Sequence, residues 1–329
     1  MKCQRRVWGL RSSFVPFVAA PVIATVALFA MVGCGTKEHQ PATPLPSPLA
    51  GRPQGSPAAG LPALAHIFLI LMENKSASQI IGSRDAPFIN RLAAKYSLAA
   101  DYSALFHPSL PNYIALTSGS NQGITDDRSP PGANGNAVDA ANIADSIEAS
   151  GRTWKLYAES IPSPGYAVDE GEYATRHVPF LYYKDILEND ARRTGLVVPF
   201  TDLAIDLRSA STTPNYGFVT PDLGSDMHDC SIADGDAWLS RVVPLILRSP
   251  AFTGTRSLLV VTWDEGDEEA GDDNHVATIL AGTGAKQAYR SSRPYDHYSL
   301  LHTIEAVWGM PPLTVNDANA ATMGEFLRK

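Results

Sequence analysis

Two unbroken apolar runs, His66-Ile67-Phe68-Leu69-Ile70-Leu71-Met72 and Ser257-Leu258-Leu259-Val260-Val261-Thr262-Trp263, constrain the fold of this chain most. Each ends abruptly in acid: Glu73-Asn74 after the first, Asp264-Glu265 after the second. A seven-residue run with no polar alternation must be covered on both faces, which a strand achieves in a parallel sheet sandwiched between helices. Residues 275–280 and 216–220 read as two further strands of the same kind. Amphipathic segments lie between them. They predict helices at 139–150, capped by Asp139 and stopped by Gly151, at 235–248 with Pro244 as a kink, and at 298–308. Strand–helix alternation makes the fold class α/β, with a mostly parallel central sheet between helical layers.

In open sheets of this class, ligands bind beyond the carboxyl ends of the strands. One acidic pair there is ordinary solvated loop. Two pairs in equivalent positions point to a shared, oxygen-rich metal site, and such hard ligands favour Mg, Mn or Ca over Zn. His107-Pro108-Ser109-Leu110-Pro111-Asn112-Tyr113 then opens a helix running to about Ser118, with Gly119 as its stop. Ser109 at its start has two readings. It is a helix cap, or it is a nucleophile activated beside a cation and facing an anion at the positive end of the helix. Asn112 lies one turn along, placed to donate to a phosphate oxygen. Tyr113, Trp263 and Tyr295 border these segments as core aromatics or as pocket walls, whereas His275 and His302 read as structural.

The N-terminal part is not enzyme. Lys2, Arg5, Arg6 and Arg11 precede an apolar stretch from Phe14 to Val32, the pattern of a secretory signal. Met31-Val32-Gly33-Cys34 resembles a bacterial lipobox, which makes residues 1–33 a lipoprotein signal peptide and Cys34 the lipid attachment point. An uncleaved N-terminal anchor is the other reading, and both export the body as a membrane-tethered protein on the extracytoplasmic face of the cell envelope. Residues 34–62, with seven prolines between Pro41 and Pro62, form a spacer that favours extended chain. The catalytic domain is expected at 63–329. Loss of residues 1–33 removes four basic residues and no acid, moving the formal charge from −8 to −12. A duplex-binding surface needs clustered basic charge, so no nucleic-acid partner is expected.

Six segments in order, HIFLILMENKSASQIIG from His66, HPSLPNYIALTSG from His107, RHVPF from Arg176, TPDLGSDMHDCSIADGDAW from Thr220, TWDEGD from Thr262 and YDHYSLLHTIEAVW from Tyr295, resemble a bacterial and fungal phosphoesterase family. It contains acid phosphatases and phospholipases C, within the alkaline phosphatase superfamily. The resemblance implies an alkaline-phosphatase-like fold and a metal-dependent phosphoric ester hydrolase acting through a phosphoserine. Position by position, it implies Glu73, Asn74, Ser109, Asp264 and Glu265 as ligands of one divalent cation and Ser109 as nucleophile. Asn112 would hold phosphoryl oxygens, with His177 and His228 near the phosphoryl group as donors or leaving-group acid. His297 is a further candidate.

An acid-phosphatase-like phosphomonoesterase fits the body, which carries no appended C-terminal domain. A phospholipase C or other phosphodiesterase, and a tethered ligand-binding protein without turnover, are the alternatives. The chain departs from the family at Lys75-Ser76-Ala77-Ser78-Gln79, where relatives often carry Arg-Ser-Phe-Asp-His. It also has Gly224 where some relatives have a cysteine, so Cys230 is expected as a free, buried thiol.

Overall fold

A computed structural model describes residues 56–130, 137–268, 271 and 274–329. The signal segment, Cys34 and the spacer up to residue 55 lie outside the described residues. The central sheet has eight strands in the order β5 (Val197–Pro199), β4 (Trp154–Ala158), β6 (Tyr216–Thr220), β1 (His66–Met72), β7 (Ser257–Trp263), β8 (Thr278–Ala281), β2 (Ser97–Ala99) and β9 (Tyr289–Ser291). A two-stranded ribbon pairs β10 (Tyr295–Asp296) with β3 (Tyr102–Ser103). The five strands from β5 to β7 run parallel.

The two apolar runs are neighbours at the centre. All seven residues of β1 and all seven of β7 are buried, as continuous apolar strands under two helical layers require. Strands 66–72, 216–220 and 257–263 form as predicted. The segment expected at 275–280 differs. Its strand is Thr278–Ala281, antiparallel to both β7 and β2, while His275 and Val276 make only isolated bridges. A hydrophobic run carries no direction, so its composition could not distinguish a reversed strand.

The helices also shift in detail. The one expected at 139–150 spans Ile143–Ala149 and is capped by Asn142, whose side chain accepts from Ala144 N–H, rather than by Asp139. The helix predicted at 235–248 spans Ile232–Leu247 and contains Pro244. Ser231 caps it in a reciprocal arrangement with Asp234. Among the described residues no helix is long and apolar enough to cross a membrane. The folded part reaches a little ahead of Ala63, because Ala58 N–H bonds the carbonyl of Ala306 and Leu64 is buried in the core.

Two helices fix the site. Ser109–Ser118 is buried at every residue, and its polar side chains are satisfied locally: Thr117 and Ser118 hydroxyls donate to the carbonyls of Tyr113 and Ile114. It ends at Gly119 in the left-handed region (φ 73°). A Cβ there would also collide with Asp317 and Thr314, so only glycine meets both demands. The other helix, His297–Trp308, packs beside it and buries Glu305.

Glu305 accepts from Leu313 N–H and faces Asp317. Burial first, then the Asp317 charge, pushes its carboxyl up to about 9. The folded state therefore keeps a proton that the unfolded chain releases near 4.5, and stability falls as pH rises from there toward 9. Glu305→Gln, which keeps the acceptor and removes the charge, is expected to stabilise the protein by about 1–3 kcal/mol at pH 8 and to have little effect at pH 4. Denaturant melts at the two pH values check this.

Candidate active site

The register of β1 against β7 pairs Met72 with Trp263, so the acids that follow emerge side by side at the carboxyl end of the sheet. Backbone bonds hold them: Asp264 N–H donates to Met72 O, and Glu73 N–H donates to Asp226 O, both at 2.9 Å. Asn74 takes a positive φ of 43°, an uncommon conformation that Asn tolerates better than most residues. There its N–H donates to Asp264 Oδ1 (3.2 Å) and its Nδ2 to Glu265 Oε1 (3.1 Å).

Ser109 enters this cluster from the Ser109–Ser118 helix. It is the first helical residue, not the cap; Pro108 occupies the cap position and no side chain of the segment caps the helix. Its hydroxyl instead lies 3.0 Å from Glu73 Oε2 and 3.3 Å from Glu265 Oε1. The structure thus brings Glu73, Asn74, Ser109, Asp264 and Glu265 into one buried hydrogen-bonded group.

Beside it, Glu73, His177 and Asp226 bring one potential ligand atom each to within 4.8 Å of one another, a geometry able to hold a metal ion. All three side chains are buried. His177 Nδ1 is 3.3 Å from Asp226 Oδ2, and Nε2 is 3.4 Å from Glu73 Oε1, yet His177 Nε2 and Asp226 Oδ2 make no aligned hydrogen bond. Sequence reasoning missed Asp226. What marks it is its setting: it lies in the loop after β6, the buried strand paired with β1, and its carbonyl accepts from Glu73 N–H. Tyr113 completes the wall by donating its hydroxyl to Glu73 Oε1 and stacking on the His177 ring (centroids 5.4 Å, 6°).

The donor set fits a cation. Among the described residues, the buried acceptors Asn74 Oδ1, Asp226 Oδ2, Asp264 Oδ2 and Glu265 Oε2 meet no hydrogen-bond donor. Glu265 Oε2 is 2.7 Å from His107 Nδ1 but not aligned for a bond. Burial is the largest cause raising the carboxyls of Glu73, Asp226, Asp264 and Glu265; for Glu73 and Glu265 the neighbouring Asp264 charge adds to it. Burial likewise lowers His177 well below the usual imidazole range, so its ring is neutral and available as a ligand. Carboxylates this close keep protons or share a cation. A cation held by the Glu73–His177–Asp226 group would have a nitrogen donor in place of the all-oxygen set expected, and a mixed set of that kind does not select Mg, Mn or Ca over Zn.

Three further expectations are corrected. Asn112 does not face the cluster. Its Oδ1 accepts from Leu105 and Phe106 N–H (3.0 and 2.9 Å), and its Nδ2 donates to the carbonyls of Phe106 and Pro108 (2.8 and 3.4 Å). An amide offers two donors and two acceptors, so Asn112 is spent on folding the loop that delivers Ser109. His297 is similarly engaged, Nε2 with Asp264 O at 2.7 Å and Nδ1 with the Tyr102 hydroxyl at 3.0 Å. It anchors the backbone of a site residue. Cys230, expected to be buried, is only half-buried.

His228, expected near the phosphoryl group with His177, is the more exposed of the two histidines. Its side chain is 30% exposed, with Nδ1 2.7 Å from Asp229 Oδ1 and Nε2 3.4 Å from Arg176 Nη2. His275 and His302 are structural, bound to Asp101 and to the Ala320 carbonyl.

The Phosphoesterase family matches residues 83–311. The chain belongs to that family. Phosphoesterases hydrolyse phosphoric ester bonds, and this phosphoesterase is a hydrolase of that class. A phosphatidylinositol-3-phosphatase of Mycobacterium tuberculosis is 36% identical over 258 residues, covering 78% of this chain and 81% of the relative. A probable acid phosphatase of Kluyveromyces lactis is 29% identical, covering 78% of this phosphoesterase and 61% of the relative. Among solved structures, an alkaline phosphatase superfamily protein of Vibrio parahaemolyticus superimposes with a TM-score of 0.55 at 12% identity, covering 80% and 70% of the two chains. A murine ectonucleotide pyrophosphatase/phosphodiesterase in complex with AMP gives 0.54 at 12% identity, covering 80% and 100%. These two show that the fold is that of the superfamily.

If Asn112 positions the loop, Asn112→Ala strands the Leu105 and Phe106 N–H groups. It is expected to lower stability by about 1–3 kcal/mol together with activity. A residue that held only substrate would leave the melting temperature unchanged, so thermal melts separate the two roles.

Proposed function

We propose that this phosphoesterase is an acid-phosphatase-like, metal-dependent phosphomonoesterase that works through a phosphoserine on Ser109. The observation that carries the proposal is the setting of the Ser109 hydroxyl, which is buried at a helix start and bonded to carboxylates from two strands almost 200 residues apart. A serine serving only the backbone would not be placed there. Glu73, His177 and Asp226 would hold a divalent cation, with Asn74, Asp264, Glu265 and Ser109 as the remaining candidate ligands. When bound, the cation would favour the serine alkoxide and offset phosphoryl charge.

In the first step Ser109 Oγ attacks phosphorus, the Oγ–P bond forms and its proton passes to Glu73 or Glu265. The bond from phosphorus to the leaving oxygen breaks, and that oxygen takes a proton from His228, oriented by Asp229. His228 then accepts a proton from water as that water attacks the phosphoserine. The Oγ–P bond breaks, Ser109 recovers a proton from the carboxylate, and inorganic phosphate leaves. His177, buried between two carboxylates, suits the metal better than proton transfer to a leaving group.

The Mycobacterium tuberculosis relative extends the proposal to phosphorylated inositol lipids as candidate monoesters. Phosphate release from p-nitrophenyl phosphate, compared with its bis-ester and with phosphatidylcholine, separates monoesterase, diesterase and phospholipase C. No release from any of them, in the presence of Mg, Mn, Ca or Zn, leaves a tethered binding protein. Ser109→Ala and Asp264→Asn are each expected to reduce turnover by at least about 10³-fold, the second with weaker cation binding by calorimetry. Wild-type turnover in Ser109→Ala would refute the phosphoserine.

The proposal also makes the protein a membrane-tethered lipoprotein of the cell envelope, anchored through Cys34. Cys34→Ser is expected to abolish metabolic labelling with fatty acid. Absence of label on the wild type, with membrane retention intact, would favour a plain N-terminal anchor.

A further inference from the structure

Asp127 sits beside the nucleophile in a place the proposed reaction does not use. Its Oδ1 accepts from the N–H of Leu110, the residue directly after Ser109, at 2.9 Å. Its Oδ2 is 3.8 Å from Nε of Arg176. Arg176 in turn extends Nη2 to within 3.4 Å of His228 Nε2 and precedes His177 in the chain. Both side chains are only partly exposed, 20% for Arg176 and 33% for Asp127. Asp127 also adds its negative charge to the field that raises Glu265. A carboxylate therefore occupies the backbone N–H of the residue that follows Ser109, next to a guanidinium that reaches His228.

We propose that Asp127 is a built-in stand-in for a phosphate oxygen and that Arg176 is a substrate-binding residue held in reserve by it. The inference rests on the phosphomonoesterase reading and specifies the charge that the site selects. A phosphate entering over Ser109 meets a negative charge at Leu110 N–H. To bind, it must displace that carboxylate and take over both the N–H and the Arg176 guanidinium, which presents planar paired donors suited to phosphate. A dianionic monoester replaces the single carboxylate charge and brings a second one for the Arg176 guanidinium and the cluster. A monoanionic diester only makes good the charge it displaces. Asp127 and Arg176 thereby set a threshold that favours substrates carrying two negative charges on one phosphoryl group.

The rival role for Asp127 is a plain cap on a helix whose own cap residue is Pro108. Asn caps as well as Asp does, so Asp127→Asn preserves the cap and removes only the charge. The probe is inorganic phosphate, as a competitive inhibitor of p-nitrophenyl phosphate hydrolysis and by direct calorimetric titration of the metal-loaded protein.

Asp127→Asn is expected to tighten phosphate by about 3–10-fold with an unchanged melting temperature, and Arg176→Gln to weaken it by at least about 10-fold. In the double variant the gain from Asp127→Asn shrinks, because the released guanidinium is missing. Asp127→Ser, a second neutral cap, should reproduce the Asn result and stands in for it if that variant folds poorly. Unchanged phosphate affinity in both neutral variants, or full affinity in Arg176→Gln, overturns the proposal. Calorimetry keeps the test independent of turnover. Phosphate binding that responds as expected in a protein that hydrolyses nothing would sink the esterase reading and leave this one standing.

Discussion

Everything at the carboxyl end of the sheet depends on the pairing of β1 with β7. The register Met72↔Trp263 is fixed by two central strands buried on both faces, where a slip of one residue would exchange every side chain between layers. Because it is fixed there, Glu73 and Asp264 leave the sheet together. Asn74 can then reach Asp264 and Glu265, and the neighbouring β6 brings Asp226 to the backbone of Glu73. The site is the frayed end of the best-packed part of the molecule.

That arrangement has an electrostatic cost. Four buried carboxyls and a neutral imidazole in one volume are unfavourable unless protons or a cation compensate them. The surrounding fold tolerates the cost because it is stiff. The Ser109–Ser118 helix is buried throughout, Asn112 fastens the incoming loop with four backbone bonds, and Tyr113 clamps both Glu73 and His177. Positive φ at Asn74 and Met227 adds backbone strain of the kind that concentrates at functional sites.

The sequence carried the strands well where the physics is local and strong. Unbroken apolar runs delimit β1, β6 and β7 to the residue, and acids directly after strands located most of the cluster. It carried less where the information is relational. The reversal of β8 depends on how its connections run, which composition does not encode. Asp226 lies in a polar stretch, SDMHDC, where no single residue stands out until the end of β6 is set beside that of β1. Asn112 lies at the right spacing for a substrate contact, but whether an amide turns toward a ligand or its own loop is decided by the loop's unpaired N–H groups. His177 and His228 were paired by expectation and are separated by burial, one enclosed between acids and one partly exposed.

His297 gives the assembly a chronology. Its ring holds the carbonyl of Asp264 from a helix that begins thirty-three positions further along the chain, with Tyr102 on its other side. A polypeptide emerging from its N-terminus acquires Glu73 and Ser109 early, Asp226 and Asp264 late, and the group that steadies Asp264 almost last. A fragment that stops short of that helix contains every residue of the cluster but lacks the ring that holds the Asp264 carbonyl.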